Sequence, residues 1–264
     1  MSNTSIELVI TVARQVLSAR GSMSEHELLG VLEEGFQFQP GSDPEEMLLD
    51  ILDHDTELST LADGRLAWIP GLLDGRIFTH RLSTVEAAHD IIGVGVDLLP
   101  LDEFTEFNTY QRLTDGSPLT VVFPLLDCEP LTARGVPSPA TAVGTDVVLL
   151  LPPGRLAALD VTAGDLIGLR VHPDGFELAA VAEPAACDIG APLAALLEQR
   201  PDQPEMLAVA VWTVCAGNTH MFGEAVAPLT DLLSASELVY NHDMELIARS
   251  GFDFATWQTA VMWG

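Results

Sequence analysis

The chain has 264 residues, with 39 acidic against 11 basic and a formal net charge of −28. Such a balance keeps a protein dissolved, repels nucleic acid and anionic membranes, and favours cationic partners. All 11 bases are arginine, so the phosphate-cradling lysine of a P-loop, a Schiff-base lysine and the strand lysine of a kinase are excluded.

The length suits one large domain or two to three small ones, and 48% hydrophobic residues are enough for a core. A halophilic source would also explain the acidity, but the positive mean hydropathy of +0.28 and the Leu/Ala-rich cores rank it second. A GC-rich genome that spells bases as arginine accounts for the missing lysine; selection against lysine modification is the sharper alternative. Cys128, Cys187 and Cys215 are odd in number and widely spaced, as expected of reduced thiols in the cytoplasm. Met1-Ser2-Asn3-Thr4 with Glu7 lacks a basic leader, and no apolar run approaches the roughly 20 residues of a membrane span. The expected location is therefore cytoplasmic.

Ile6, Val9, Ile10, Ala13, Val16 and Leu17 recur at helical spacing, with a Thr4–Glu7 capping box before them and Gly21 after. Ser24 and Glu27 form a second box, Met23 is placed to staple against Leu28, and Leu28, Leu29, Val31 and Leu32 form the buried face. After a loop over 35–41, Asp43 caps a third helix with Pro44 at its first position. Leu58 to Leu61 and Leu66 to Ile69 then flank an Asp63-Gly64 hairpin signal. Three helices and a hairpin in about 70 residues predict a winged helix-turn-helix.

In DNA readers of that kind the third helix enters the major groove. Here it carries Glu45, Glu46, Asp50, Asp53 and Asp55 and no base. Against a duplex bearing one negative charge per roughly 1.7 Å, it would be repelled. These five carboxylates are instead the expected contact for a basic protein partner. Over Ile6 to Pro70 the pattern resembles the HARE-HTH type of winged helix, seen in the delta subunit of bacterial RNA polymerase. That resemblance implies a helical domain that binds protein or polymerase as often as DNA, and it transfers no functional residues.

Gly71 to Arg76 is turn-rich, Ile77 to Leu82 alternates like a short strand, and Ser83 to Glu86 opens a capped helix that runs through Ala87, Ala88 and Ile91. Gly93-Val94-Gly95-Val96-Asp97 lacks the third glycine of a nucleotide loop and reads as an ordinary loop. His80, His89 and Asp90 could gather as a site with Arg76 and Arg81, but hydrogen-bonded core histidines and a solvated helix end are the favoured reading; the two arginines remain the expected place for an anion or an acidic segment to dock. Farther on, Leu119 to Leu126, Asp146 to Leu151, Leu166 to Val171 and Phe176 to Val181 are strand-like, with Gly and Pro turns between them. A small barrel or compact sandwich follows from that spacing. Ala191 to Gln199, Pro204 to Val214 and Pro228 to Ser234 are helical, and Glu237 to Ala248 turns at Asn241-His242-Asp243. This repeats the helix-then-hairpin order of Leu48 to Ile69, as a second, degenerate winged-helix unit would. Phe252, Phe254, Trp257 and Trp263 form a docking helix or an apolar patch.

The expected fold class is α+β: a winged helix over 1–70, a connector with a short helix over 71–110, a small β-barrel or sandwich over 111–186 and a helical domain over 187–264. Cys215 with His220, Asp53-His54-Asp55 and His242-Asp243 with Glu245 are incomplete as metal sites, and no nucleophile elbow is present. Neither metal nor cofactor is expected. The leading expectation is a non-catalytic, acidic interaction protein whose partner has a basic surface, with direct nucleic-acid binding disfavoured. A DNA mimic and a metal-assisted hydrolase are the rivals; the oligomeric state is not legible.

Overall fold

A computed structural model describes residues 3–35, 55, 57–101, 113–122, 147–182, 186–187, 189–218, 225–235 and 237–263. The expected third helix, with Glu45, Glu46, Asp50 and Asp53, lies outside the described residues, as do Cys128 and His220.

The first helix, Asn3–Arg20, buries Val9, Ala13 and Leu17, one turn apart on a single face. It begins before Thr4, so that residue is inside the helix rather than ahead of it. Gly21, at φ +84°, stops it and donates its amide to the Leu17 carbonyl at 2.7 Å. Strand Ser22–Met23 leads to helix Glu25–Gly35, whose predicted capping box forms: Ser24 N donates to Glu27 Oε2 at 2.9 Å and Glu27 N to Ser24 Oγ at 3.3 Å. Strands Leu58–Thr60 and Leu66–Trp68 make the expected hairpin, with Gly64 at φ +83°. Strand Ser22–Met23 joins the other side of Leu66–Trp68, with Met23 opposite Leu66.

Alternation along that middle strand connects two cores. Leu66 belongs to the small N-terminal core with Val9, Leu17, Met23, Leu28 and Leu32. Ala67, on the opposite face, belongs with Leu61, Ile69, Leu72 and Leu73 to the large core of the molecule. The tip of the hairpin is also anchored there, since Ala62 N donates to Thr213 Oγ1 at 2.9 Å.

The largest sheet has five strands in the order Ala186–Cys187, Ala225–Val226, Ile77–Arg81, Leu166–His172, Gly175–Val181. The first two pairings are parallel and the last two antiparallel. Ile77–Arg81, from the expected connector, is thus the central strand, preceded by a short helix, Ile69–Leu73. A separate antiparallel sheet places Val147–Leu150 between Ile91–Val94 and Thr120–Val122. Ile91–Val94 is therefore a strand, buried at all four positions, where Ile91 was expected in the preceding helix and Gly93 in an ordinary loop; the helix ends at His89 because Asp90 turns left-handed.

Of the expected barrel or sandwich, no closed barrel occurs among the described residues, whose middle strands are divided between these two sheets. Strand sequences specify a half-buried pleated surface, and here upstream strands occupy the neighbouring positions.

The final third is not purely helical. Helix Gly190–Glu198 is followed by strand Glu205–Met206, helix Leu207–Gly217, helix Leu229–Ala235 and a hairpin of Leu238–Asn241 with Leu246–Arg249. Strand Glu205–Met206 pairs with the second hairpin strand, Met206 opposite Leu246, in the same relation as Met23 to Leu66. In both regions a helix, a short strand and a second helix precede a hairpin in the chain, and the short strand pairs with the second hairpin strand. Between helices Leu207–Gly217 and Leu229–Ala235, strand Ala225–Val226 joins the large sheet. Leu207–Gly217, apolar on all sides, runs through the large core, and Trp212 Nε1 donates to the Pro100 carbonyl at 3.0 Å.

Candidate functional site

One buried group of ionisable side chains centres on His80, near the end of the central strand. The capping box predicted at Ser83 forms, so Glu86 turns back toward the helix start, with Ser83 N donating to Glu86 Oε2 at 2.7 Å. This brings Glu86 Oε1 to 2.8 Å from His80 Nε2, where it also accepts from Gly93 N at 2.7 Å. The other ring nitrogen, Nδ1, lies 3.2 Å from Asp97 Oδ2. Asp97 sits in the 3₁₀ segment Val96–Leu101, and its Oδ1 accepts from Thr230 N at 2.9 Å and Thr230 Oγ1 at 2.8 Å. Two sheets, a short helix and the helix Leu229–Ala235 are tied through one imidazole.

Burial alone would favour a neutral His80, but the hydrogen bonds and charges of Asp97 and Glu86 prevail and push its pKa up to about 9. Burial likewise opposes charge on Glu86, yet His80 and the amides of Gly93 and Ser83 hold its carboxyl down at about 2. Asp97 is also held below the ordinary carboxylate range, against its burial, by His80 and Thr230. At neutral pH the group is an imidazolium between two carboxylates. Its ring nitrogens face different partners instead of one common point, which suits a clamp better than proton transfer to a substrate.

A second buried cluster holds Asp55, one of the carboxylates expected to meet a partner. Arg14, on the first helix, binds it with both arms, Nε to Oδ2 and Nη2 to Oδ1, each at 2.6 Å. Arg14 Nη1 also lies 2.9 Å from Glu57 Oε2, which accepts from Trp68 Nε1 at 3.1 Å. Both carboxylates are buried. Asp55 is thus engaged in fastening the first helix to the hairpin.

The two arginines expected to bind an anion separate. Arg76 is buried, and its guanidinium donates to the carbonyls of Leu72, Asn218 and Cys215. It thereby completes the C-terminal end of Leu207–Gly217, where a cation also complements the helix dipole. An anion arriving from solvent would have to displace those carbonyls. Cys215 is buried beside it, and that burial lifts the thiol to about 11, the opposite of a reactive cysteine. Arg81, by contrast, is exposed; it donates to the Gly164 carbonyl at 3.0 Å and to Asp231 Oδ2 at 3.3 Å.

His89 is exposed and Asp90 serves as a cap, accepting from Gly154 N at 2.6 Å and Leu156 N at 2.8 Å. His80 is thus a hydrogen-bonded, part-buried histidine held by Glu86 and Asp97, in line with the simpler expectation, and His89 and Asp90 do not gather with it. Glu86 could have been found from its place in the capping box; Asp97 carried no comparable signal. Among the described residues no group of three or more His, Cys, Asp or Glu side chains is placed to hold a metal ion. No described helix is long and apolar enough to cross a membrane. Comparison with protein-family models, curated proteins and solved structures finds no match.

Proposed function

We propose that this chain is a non-catalytic interaction protein, built on an N-terminal winged helix and a second winged-helix-like unit, whose partner presents a basic surface. The carrying observation is the distribution of its cations. Arg14, Arg65, Arg155, Arg170 and Arg249 lie against carboxylates on separate elements, and Arg76 against carbonyls. These six guanidinium groups, among the described residues, are spent one by one within the fold, on a chain of net charge −28. Nucleic-acid binding needs the reverse, cations gathered along one face.

The winged-helix reading is supported by the antiparallel pairing of Ser22–Met23 with the second hairpin strand, and by its recurrence at Glu205–Met206. Regulatory work through protein contacts, as the HARE-HTH resemblance implies, is consistent with the run of carboxylates Glu45, Glu46, Asp50 and Asp53 in the sequence.

Affinity capture from the native host is expected to retain a protein with an Arg/Lys-rich surface, released as salt rises. A gel shift with duplex DNA is expected to show no complex at low salt. DNA binding whose affinity falls steeply with rising salt, the signature of phosphate contacts, would overturn the proposal.

A further inference from the structure

The helix Phe254–Trp263 reads Phe-Ala-Thr-Trp-Gln-Thr-Ala-Val-Met-Trp, ten residues without a charge in a chain that is 19% charged. Its start is set by its own cap: Asp253 Oδ1 accepts from the amides of Ala255 and Thr256, and Oδ2 from the Thr256 hydroxyl at 2.6 Å. Its described side chains join none of the buried cores. Ala255 and Ala260 are exposed, and Val261 is 64% exposed. At its base Phe252 packs edge-on to Phe254 with ring centres 5.0 Å apart, and 6.4 Å from Trp257. Phe252 and Trp257 help line an open groove of about 530 Å³, together with Pro201, Asp202, Arg249 and Asp253 among others.

The rim is acidic. Arg249, also on the groove, is turned toward Glu198 at 3.4 Å, and among the described residues no arginine pairs with Asp202 or Asp253 beside the aromatic wall. A second copy would bring the same carboxylates against these, whereas a segment carrying cations beside apolar side chains would complement both features. We propose that this groove docks a basic amphipathic segment of a partner protein, its apolar side chains on Phe252 and Trp257 and its Arg or Lys over Asp202 and Asp253. The proposal rests on the reading of the chain as an interaction protein and names the surface involved.

The test uses the full chain and two labelled synthetic peptides of equal charge, an amphipathic Leu/Lys helix and a Ser/Lys control, followed by fluorescence anisotropy. The Leu/Lys peptide is expected to bind at least tenfold more tightly than the control. Phe252→Ala with Trp257→Ala should remove that advantage while the melting temperature stays near that of the parent, because neither ring belongs to a buried core. Asp202→Asn with Asp253→Asn should weaken binding threefold or more, asparagine keeping the cap. Asp160→Asn with Asp174→Asn, both exposed elsewhere, should leave binding unchanged.

Equal weakening by the groove and remote acid pairs would mean adsorption to general negative charge and overturn the proposal. So would sedimentation showing a dimer that Trp257→Ala dissociates. If the groove fails while DNA binding also stays absent, the interaction reading survives and only its assignment to this surface falls.

Discussion

Replacing His80 by alanine is expected to leave Glu86 and Asp97 as buried, mutually repelling carboxylates, at a cost of about 3 kcal/mol in urea unfolding. The clamp also has a defined pH window. His80 has its pKa raised from 6.5 to about 9 in the fold, so its contribution is complete below about pH 6.5 and lost as pH rises through 9. Glu86 is lowered from 4.5 to about 2, so its contribution is present above 4.5 and lost as pH falls toward 2. Urea midpoints measured between pH 7 and 10 should fall for the parent and flatten for His80→Ala. An equal slope in both would show that the imidazolium is not the stabilising group. Arg14→Ala should cost roughly 2–3 kcal/mol, the lower end for a buried pair because the guanidinium is partly solvated. At this scale capping was the readable part: Ser24–Glu27 and Ser83–Glu86 formed because a box is closed within four residues. Arg14 meeting Asp55, 41 positions away, depends on a fold that no local pattern reports.

Between elements, two glycines set the spacing. A Cβ on Gly168 would lie 2.7 Å from Cγ2 of both Ile77 and Val181, one on each neighbouring strand. Gly168→Ala should therefore destabilise by about 1–3 kcal/mol through overpacking, read from the denaturation midpoint. The corresponding atom on Gly71 would lie 2.5 Å from Trp68 Cε3 and 3.4 Å from Ser18 Cα, so Gly71→Ala should have a similar cost by pressing the ring toward the first helix. Wild-type stability in either variant would mean that the neighbours yield more easily than the packing indicates. Element types were largely legible, since helical periodicity, the Asp63-Gly64 turn and β-branched runs are local signals. Pairings were not: Ile77–Arg81 has the alternation of any half-buried strand, and nothing in its composition marks it as the centre of a sheet. Ile91–Val94 was hidden by its glycine, which read as punctuation until Glu86 and Val147–Leu150 supplied partners.

For the whole molecule, the shared strand Leu66–Trp68 argues against independent units. Separating the chain after residue 70 would expose Ala67 and Ile69, which pack in the large core, and break the link from Ala62 to Thr213. A single cooperative unfolding transition is expected, with tryptophan fluorescence and far-ultraviolet circular dichroism coincident. Two separated transitions would show that the N-terminal unit folds by itself. The net charge adds a general term, and moderate salt should raise the midpoint by screening self-repulsion. Charge was the molecular-scale property most plainly written in the sequence, because it is a sum; the division into open sheets is a matter of long-range closure.

That closure has a consequence for biosynthesis. Thr79, on the central strand, donates its hydroxyl to the carbonyl of Val226, 147 positions later. As the ribosome extends the chain at about 5–20 residues per second, the strand waits many seconds for its parallel neighbour to emerge. Until then its edge is open to wrong pairing, so the yield of native protein should depend on chaperones that shield nascent strands more than on the speed of local helix formation.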